Sequence, residues 1–402
     1  MEKFEPTNIK GAGDRLPAEQ IMRNRITDVL RKNFELYGYA PLETAMLNYL
    51  DLLTYKYDSD AEIVREIYKL KDQGDRDLGL RFDLTIPFCK VIAMNRNLRL
   101  PFKRYEIGRV WRNGPVKAGR AREFYQCDVD AVGIAGQHIE AELIALSVKC
   151  FLELGIEPVI KYGNRTLLAE VIKGVDVATD KIDAVIGIVD KMAKISAEEL
   201  HKLLCEHMPG VSAKKLISSL NNCAKSDEIS KLEKNLVDLG VDKYCVFAPY
   251  LARGLNYYTG NIWEVFDKAE RITSSLGGGG RYDNIIANFI GDGRDYPAVG
   301  LSFGLEPILA VLAADKQQRI NVADLMLIPM GTESFCQKLA DKMRVAGRRV
   351  LVFLGSGRVG KALEYADAEG IPYVAVVGEN EIQNDCISIK DMKTGETEEM
   401  RL

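Results

Sequence analysis

The first strong pattern along the chain is a helical repeat of apolar positions near its start. Between Pro17 and Tyr39, apolar side chains recur three or four positions apart, at Met22, Ile26, Val29, Leu30 and Phe34. That spacing places them on one face of an α-helix. Pro17 stands where the first turn of a helix tolerates proline. The pattern predicts an amphipathic opening helix of about twenty residues.

Between Leu80 and Gly133 the period of the pattern changes from helical to two. Two strand-like runs, Phe102–Arg112 and Arg122–Val132, flank the loop Asn113–Ala121. Alternation over runs of this length is typical of half-buried strands, and two such runs joined by a loop favour an antiparallel hairpin. Because the loop and its flanks are rich in lysine and arginine, the hairpin is expected to carry a long basic tip.

Downstream of the hairpin, helical and strand-like patterns alternate. Residues about 164–245 are rich in Lys, Asp, Glu and Leu with few aromatics, as in Ala197–Leu204 and Asp227–Leu239, and they predict a helical insertion. A strand is then expected at Asn261–Phe266 and a glycine run at Gly277–Gly280. A strand that leads into a buried helix is expected at Ala298–Leu312, and a polar linker at Ala313–Asn321.

Beyond Val322 the chain alternates strand-like runs with helical patterns. The strands are expected at Leu325–Pro329, Arg349–Phe353 and Tyr373–Val377, and the helices at Phe335–Ala346 and Lys361–Ala368. Such alternation predicts a small α/β domain of about 80 residues with a largely parallel sheet. This domain is expected to cover residues 321–402, after a larger domain that covers residues 1–320.

Composition and charge narrow the class of protein. Of 402 residues, 47% are hydrophobic and 28% charged, which is the balance of a globular protein and excludes disorder as the main feature. Lys and Arg number 54 against 58 Asp and Glu, a formal net charge of −4, so no overall basic field attracts nucleic acid or an anionic membrane. The first residues contain no apolar run, which favours a cytoplasmic protein without a membrane span.

The cysteines and histidines indicate no metal site. Eight cysteines lie far apart, without a Cys-x-x-Cys pair, and the three histidines do not cluster. That spacing argues against a zinc site or a disulfide framework and indicates buried thiols in a reducing compartment.

The glycine motif Gly355–Gly360, followed by Lys361, partly fits two phosphate-binding patterns. Ala362 stands where a P-loop needs a hydroxyl group for magnesium, and the surrounding domain is too small for a dinucleotide crevice. A tight turn that begins a helix is the simpler interpretation. In that interpretation Arg358 and Lys361 remain available to contact a phosphate backbone.

The predicted hairpin carries the strongest local charge of the chain. Between Lys103 and Arg122 there are seven basic residues and one acid, Glu106. A solvated basic face is the ordinary explanation for such a run. The second strand favours another one, because alternation places four side chains on one face: Phe124, Gln126, Asp128 and Asp130.

A row of polar groups on a strand face, opposite arginines of the paired strand, makes a poor core and a suitable polar pocket. Arginine forms forked hydrogen bonds that suit a triphosphate and a carboxylate. Gln126 and Asp130 suit an ammonium group. The hairpin therefore predicts a site that binds an amino acid beside a nucleotide.

Several motifs together resemble those of one enzyme family. The segments Arg104–Arg112, Gly119–Phe124 and Gln126–Asp130 look like motif 2 of class II aminoacyl-tRNA synthetases, in the form of the histidyl-tRNA synthetases. Arg253–Gly260 closely resembles the peptide peculiar to that family, and Gly278–Asp283 resembles its companion glycine motif. Lys10–Asp14 and Arg81–Thr85 fit as well, so the resemblance covers essentially the whole chain.

The resemblance implies an α+β fold: a class II catalytic domain with a six-stranded antiparallel sheet and the helical insertion near the tRNA acceptor stem. The C-terminal α/β domain would be of the anticodon-binding type. The resemblance also implies a homodimer that activates L-histidine with ATP and transfers it to the 3′ end of tRNA(His). Mg²⁺ would come with ATP, and no resident metal is expected. Such activation needs positioned charge rather than a side-chain nucleophile, because the substrate carboxylate attacks.

Carried over residue by residue, the resemblance assigns roles to individual side chains. Histidine binding falls to Asp83, Thr85, Gln126, Asp130, Tyr257, Tyr258 and Tyr282. Arg112 and Arg253 are the expected catalytic residues, since both would stabilise charge on the α-phosphate. ATP binding is expected from Arg112, Arg120 and Arg253. The tRNA would contact Lys117, Arg120, Arg358 and Lys361.

Three positions depart from the pattern of that family. Ala45 stands where the motif 1 strand usually has proline, and Asn256 stands where Asp is common. Pro307 replaces the motif 3 arginine that normally meets the ATP. ATP binding is therefore expected to be weaker or to be supported by another arginine such as Arg120.

These departures leave a second class of function open, namely a synthetase-like paralogue that does not aminoacylate. The regulatory subunit of ATP phosphoribosyltransferase in histidine biosynthesis is an example. That paralogue typically lacks the anticodon-binding domain, which residues 323–402 supply here, and it tends to lose the arginines that Arg112 and Arg253 represent. A plain nucleotide-binding α/β protein would rest on Gly355–Lys361 alone.

Overall fold

The chain folds into two compact units. The computed structural model describes residues 4–55, 62–116, 120–192, 195–252, 258–313, 321–355 and 358–402. The first unit comprises Met1–Gly13 and Ile26–Ala314, and the second comprises Asp14–Arg25 and Asp315–Leu402. The predicted linker Ala313–Asn321 lies almost wholly outside the described residues.

An eight-stranded sheet forms the centre of the first unit. The strands of this unit are β1 (Ala40–Pro41), β2 (Leu47–Tyr49), β3 (Lys69–Lys71), β4 (Asp77–Leu80), β5 (Phe102–Trp111), β6 (Glu123–Val132), β7 (Pro158–Asn164), β8 (Cys245–Phe247), β9 (Asn261–Asp267), β10 (Gly277–Arg281) and β11 (Ala298–Gly304). The sheet order is β1-β5-β6-β11-β10-β9-β7-β8, and β2-β4-β3 form a small separate sheet.

The inner six strands of the large sheet are antiparallel, as the resemblance implied. The two short edge strands β1 and β8 pair in parallel and were not expected. The predicted hairpin is confirmed as β5 and β6, which pair from Phe102 opposite Val132 to Trp111 opposite Glu123. The predicted glycine run is itself a strand, β10.

Helices cover both faces of the large sheet. Those between residues 17 and 312 are α1 (Pro17–Leu36), α2 (Leu50–Thr54), α3 (Glu62–Arg65), α4 (Thr85–Met94), α5 (His138–Glu153), α6 (Arg165–Lys173), α7 (Ile182–Val189), α8 (Ala197–Cys205), α9 (Gly210–Asn221), α10 (Asp227–Asp238), α11 (Asn284–Ile290) and α12 (Leu305–Leu312). The predicted opening helix is confirmed by α1.

Alternation along β6 decides where the core and the site lie. Cys127, Val129 and Ala131 belong to the large apolar core, together with residues of α1 and α5 such as Leu30 and Leu146. The intervening side chains of β6 therefore point to the opposite face of the sheet. That face carries the polar residues that the sequence singles out.

The predicted insertion is helical, and most of it has its own core. Residues of α6, α7, α8 and α9 form a separate apolar cluster around Leu168, Val185, Leu200 and Leu216. The helix α10 differs, since Ile229, Leu232 and Leu236 pack into the main core.

The second unit contains a mixed five-stranded sheet between two apolar clusters. Its strands are β12 (Leu325–Pro329), β13 (Val350–Val352), β14 (Tyr373–Val377), β15 (Cys386–Asp391) and β16 (Thr397–Arg401), and its helices are α13 (Glu333–Val345), α14 (Val359–Ala368) and α15 (Glu379–Gln383). The order is β13-β12-β14-β15-β16. The predicted parallel arrangement holds for β13, β12 and β14, whereas β15 and β16 are antiparallel additions.

Two further expectations need correction. Ala45 does not lie in a strand: it is exposed, between β1 and β2. The N–H of the preceding residue, Thr44, donates to the Glu106 carboxylate at 3.0 Å. Not all cysteines are buried: Cys89, Cys127, Cys150 and Cys336 are, whereas Cys205 is exposed and the others are half-buried. No helix in the described ranges is long and apolar enough to cross a membrane.

Candidate functional site

A cavity of about 710 Å³ lies in the first unit over the polar face of β6. Most of the predicted site residues that the structure describes line it: Asp83, Thr85, Arg112, Arg120, Gln126, Asp130, Tyr258 and Tyr282. They come from five separate stretches of the chain, so the fold assembles what the sequence predicted as a group. Among the described lining residues, Arg112 and Arg120 are the cations.

Other predicted residues lie elsewhere. Arg253, Tyr257 and Lys117, and also Asn256, lie outside the described residues. Arg358 and Lys361 belong to the second unit, where both are exposed at the beginning of α14.

The cavity face of β6 carries Phe124, Gln126, Asp128 and Asp130, as alternation predicted. The expectation of several arginines opposite this row is wrong. The β5 partners of these residues are Val110, Gly108, Glu106 and Arg104. Arg109 is on the other face, where its Nε donates to the Tyr125 hydroxyl at 3.1 Å, because odd and even positions of a strand face opposite ways.

A buried cluster of charges lies beneath the cavity. The Arg104 Nη2 is 2.8 Å from Asp130 Oδ2, and its Nη1 is 3.5 Å from Glu106 Oε2. Arg81 holds the other Glu106 oxygen at 2.7 Å. Both arginines are almost fully buried. Neither arginine had a predicted role, and the pairing of Arg104 with Asp130 follows from the register of the hairpin.

Asp130 is engaged on both sides. The hydroxyl of Tyr282, itself buried, donates to Asp130 Oδ1. A Cβ at Gly300 would lie 2.1 Å from the same oxygen, so glycine is required there to leave room for the carboxylate. Burial raises the pKa of Asp130, while Arg104 and the hydrogen bond from Tyr282 lower it. Asp130 is therefore held in place by the protein itself.

Asp83 offers an oxygen that the protein does not use. Its Oδ1 accepts from the Ile86 N–H at 3.1 Å, at the beginning of α4. Its Oδ2 is buried and has no hydrogen-bond partner among the described residues. Burial raises the pKa of Asp83 to about 6, against the lowering effects of the Ile86 hydrogen bond and Arg112.

Gln126 and Asp128 form the middle of the row. The Gln126 Oε1 is buried without a partner in the described part of the chain. Burial, and then the neighbouring Asp130, raise the pKa of Asp128 to about 7. Asp128 was on the predicted face but had no predicted role.

The two cavity arginines are placed differently. The Arg112 guanidinium lies 5.2 Å from the centre of the Phe124 ring, and its Nε donates to the Phe82 carbonyl at 3.0 Å. It makes no ion pair within the described ranges. The Arg120 Nη2 lies 3.1 Å from Glu66 Oε1, so its charge is partly balanced.

The motif 3 position also lines the cavity. Pro307 is the third residue of α12, where a helix tolerates proline, and its ring packs against Gly304. The adjacent Glu306 is another lining residue. This side of the cavity therefore carries an acidic and an apolar side chain, where the family that the sequence resembles has a cation.

The four glycines of β10, Gly277–Gly280, form a floor of the cavity without side chains. Gly277 and Gly278 line the cavity. A Cβ at Gly279 would lie 2.2 Å from the Gly300 carbonyl oxygen and 2.5 Å from the Trp263 ring. Backbone alone therefore separates the cavity from the core at this strand.

Two known protein-family models match the chain, one largely in each of its two units. Residues 11–308 match the family model described as histidyl-tRNA synthetase. Residues 324–402 match the model of the anticodon-binding domain.

Similar proteins match over almost the whole chain. Histidine–tRNA ligase 1 of Bacillus cereus (strain ATCC 14579) is 43% identical over 414 residues, with 98% of this chain and 96% of the relative covered. Histidine–tRNA ligase of Clostridium tetani is 32% identical, with 99% and 96% covered.

Solved structures match as well. Histidyl-tRNA synthetase from Nostoc sp. PCC 7120 superposes with a TM-score of 0.86 at 27% identity and covers 99% of this chain and 97% of its own. A Bacillus halodurans structure described as an ATP phosphoribosyltransferase regulatory subunit/histidyl-tRNA synthetase has a TM-score of 0.76 at 20% identity, covering 90% and 97%. The second likeness concerns the fold alone.

Proposed function

The chain belongs to the histidyl-tRNA synthetase family, and from this membership we propose that its cavity joins L-histidine to ATP as histidyl-adenylate. The histidyl group then passes to the 3′ end of tRNA(His). The chain is thus a ligase of the aminoacyl-tRNA synthetase class.

The observation that carries the proposal is a pair of unused acceptors in the cavity. Asp83 Oδ2 and Gln126 Oε1 are both buried without hydrogen-bond partners among the described residues. A buried polar group left unpaired costs about 1–3 kcal/mol. An α-ammonium group supplies three N–H donors, so it fits these oxygens. Asp130, Thr85, Tyr258 and Tyr282, with Tyr257 from the sequence, would complete the histidine subsite.

Arg112, a cation that lines the cavity, is proposed to contact the substrate carboxylate and the α-phosphate. In the proposed reaction a carboxylate oxygen of histidine attacks the α-phosphorus of ATP and forms a phosphorus–oxygen bond. The bond from that phosphorus to the β-bridging oxygen breaks, and pyrophosphate leaves with the electron pair. Arg112 balances the charge on the α-phosphate oxygens. Arg253 is proposed for the same task from the sequence alone.

Mg²⁺ is proposed to enter with ATP. The described residues contain no cluster of three or more His, Cys, Asp or Glu side chains that could hold a metal ion. Mg²⁺ is usually held by substrate phosphates and one or two carboxylates. Glu264 and Glu306 line the cavity and would supply these carboxylates. Arg120 is the proposed cation for the phosphates in place of the arginine that Pro307 replaces.

The tRNA contacts are proposed from charge and from the second unit. The anticodon-binding match at residues 324–402 supports a tRNA partner. Arg358 and Lys361 are exposed cations of that unit, and phosphate contacts are the usual source of affinity for nucleic acid. Lys117 and Arg120 are proposed to contact the acceptor end. A cytoplasmic location belongs to the same proposal, because tRNA is charged there.

A homodimer is proposed from exposed apolar surface. Large apolar side chains are exposed on and beside the small sheet β2-β4-β3: Met46, Leu47, Tyr49 and Leu70. A contiguous apolar patch on a protein surface marks an interaction site. A second copy of the chain is the proposed partner at this sheet.

The alternative of a regulatory paralogue has less support. The relatives at 43% identity are histidine–tRNA ligases over nearly their full length. Residues 324–402 also match the anticodon-binding domain that such a paralogue typically lacks.

The direct test is exchange of labelled pyrophosphate into ATP by the purified chain. We expect exchange that requires histidine. Arg112→Ala should lower kcat/KM by about 10²- to 10³-fold, the usual effect of removing one charge-stabilising donor. Arg109→Ala, from the other face of the same hairpin, is the matched control and should retain the wild-type rate. Absence of exchange by the folded chain, together with binding of a phosphoribosyltransferase subunit, would refute the ligase proposal.

A further inference from the structure

Gln126, Ser302 and Asp128 form a short chain of polar side chains in the cavity. Ser302 on β11 stands opposite Asp128 on β6. The Gln126 Nε2 donates to Ser302 Oγ at 3.1 Å and lies 3.5 Å from Asp128 Oδ1. Ser302 therefore lies beside Asp128, where its hydroxyl lowers the pKa of the Asp128 carboxyl. The Gln126 Oε1 is left buried, with no partner in the described part of the chain.

The ionised carboxylate fixes the direction of this chain. A carboxylate accepts hydrogen bonds and donates none, so an ionised Asp128 can only accept a hydrogen bond from the Ser302 hydroxyl. The lone pairs of Ser302 then face Gln126, which must present its NH₂ group. Because the two ends of a primary amide point apart, the Gln126 carbonyl oxygen is left without a partner in the described part of the chain and can accept from an added N–H donor. The charge on Asp128 thus determines whether a ligand contacts the carbonyl oxygen or the NH₂ group of the Gln126 amide.

We propose that Asp128, acting through Ser302, is a positioning residue of the amino-group subsite, which holds the Gln126 carbonyl toward the α-ammonium group of histidine. This inference rests on the proposed function, in which Gln126 binds that group. A protonated Asp128 is a donor, which allows Ser302 to donate to Gln126 instead. The amide then presents its NH₂ to the substrate, and two donors face each other.

The surroundings of Asp128 set the pH range of this reversal. Burial raises the pKa of Asp128 to about 7, and Asp130 and Asp83 also raise it, whereas Arg104 and the Ser302 hydrogen bond lower it. Glu106 lies opposite on β5 but is held by arginines. Below this pKa the competent fraction of the protein falls. The apparent affinity falls with that fraction, so the KM for histidine rises by about tenfold from pH 8 to pH 6.

The decisive variant is Asp128→Asn, which cannot titrate. The imidazole of histidine and the other carboxyls also titrate in this range, but they do so in both proteins. The informative quantity is therefore the ratio of the wild-type KM to the variant KM at each pH, measured by pyrophosphate exchange. We expect this ratio to rise by about tenfold from pH 8 to pH 6, with kcat at saturating histidine little changed. A constant ratio overturns the proposal.

An analogue without the amino group separates positioning from a purely structural role. For 3-(imidazol-4-yl)propionate as a competitive inhibitor, the ratio of the two inhibition constants should not change with pH. Equal pH dependence for histidine and the analogue would also overturn the proposal. Ser302→Ala breaks the same chain and should raise the KM for histidine at pH 8. If Asp128→Asn does not fold, Ser302→Ala provides the test instead.

Controls distinguish this proposal from the one on which it rests. Asp238→Asn and Ser230→Ala change exposed residues of α10 and should retain the wild-type pH profile. Absence of histidine-dependent exchange in the wild-type chain refutes the proposed function. Exchange with a constant KM ratio refutes the role of Asp128 alone.

Discussion

Replacing Arg104 by methionine should destabilise the first unit to an extent that depends on pH. The Arg104 guanidinium is fully buried, 2.8 Å from Asp130 and 3.5 Å from Glu106, and its Nη2 donates to the Leu84 carbonyl at 3.0 Å. Methionine retains much of the aliphatic chain and leaves the carboxylates without this cation. Removing one partner of a buried ion pair costs about 3–5 kcal/mol.

The pH dependence follows from the carboxyl groups around Arg104. Burial raises the pKa of Asp83 to about 6 and that of Asp128 to about 7, and it raises the pKa of Asp130. Groups whose pKa is raised by folding bind more protons in the folded state, so their contribution to stability is lost as pH rises through these values. Near pH 8 Asp83 and Asp128 are ionised, and the missing cation matters most. Near pH 5.5, protonation of the carboxyl groups removes part of the negative charge that Arg104 balances.

The free energy of unfolding of the full chain, measured by urea titration at both pH values, tests this reasoning. We expect the loss on Arg104→Met to be about 3 kcal/mol or more near pH 8 and clearly smaller near pH 5.5. The double variant with Asp130→Asn should regain part of the stability, because it removes both partners of the pair. An equal loss at both pH values would refute the electrostatic explanation and indicate lost packing alone.

Three further outcomes are expected. Gly300→Ala places a Cβ 2.1 Å from Asp130 Oδ1 and should raise the KM for histidine by about fivefold or more, since overpacking costs about 1–3 kcal/mol; an unchanged KM would contradict the geometry. Charge reversal at Lys117 and Arg120 together should raise the KM for tRNA and reduce its salt dependence by about one unit of slope per lost contact; unchanged tRNA kinetics would count against this contact. Tyr49→Glu should shift the sedimentation coefficient toward the monomer, whereas an unchanged coefficient would remove the small sheet as the interface.

The hairpin shows what the sequence could predict. Period-two alternation specifies both the strands and the side of each residue, so the polar row at Phe124–Asp130 could be identified without coordinates. The same rule, applied to the first strand, would have placed Arg109 and Arg104 on opposite faces of the hairpin. The error came from counting charges along the strand rather than assigning them to its two faces.

The strand β10 shows a limit of such patterns. Glycine has no side chain that could alternate between apolar and polar, so Gly277–Gly280 gives no strand signal although it pairs on both edges. The strands β15 and β16 are half-exposed, and their polar residues weaken the apolar alternation. Beside Ala45, the Thr44 N–H donates to the Glu106 side chain rather than to a strand partner, a contact that the local sequence does not reveal.

The site itself depends on contacts that no local pattern contains. Ser302 meets Asp128 because β11 lies beside β6, although the two strands are far apart in sequence. The raised pKa of Asp128 likewise depends on burial and on Asp130 and Asp83 converging from different segments. Sequence reasoning could name the residue types of the site, but not which of them neutralise one another and which remain for a ligand.

The glycine floor at β10 has a consequence for inhibitor design. A compound that rests on Gly277 and Gly278 would contact main-chain atoms, which a codon change cannot alter without adding a side chain. Such a side chain has little space at this strand, since a Cβ at Gly277 would lie 2.6 Å from the Ser302 carbonyl oxygen and one at Gly279 2.2 Å from that of Gly300. Resistance by substitution at Gly277 would therefore damage the sheet before it excluded the drug.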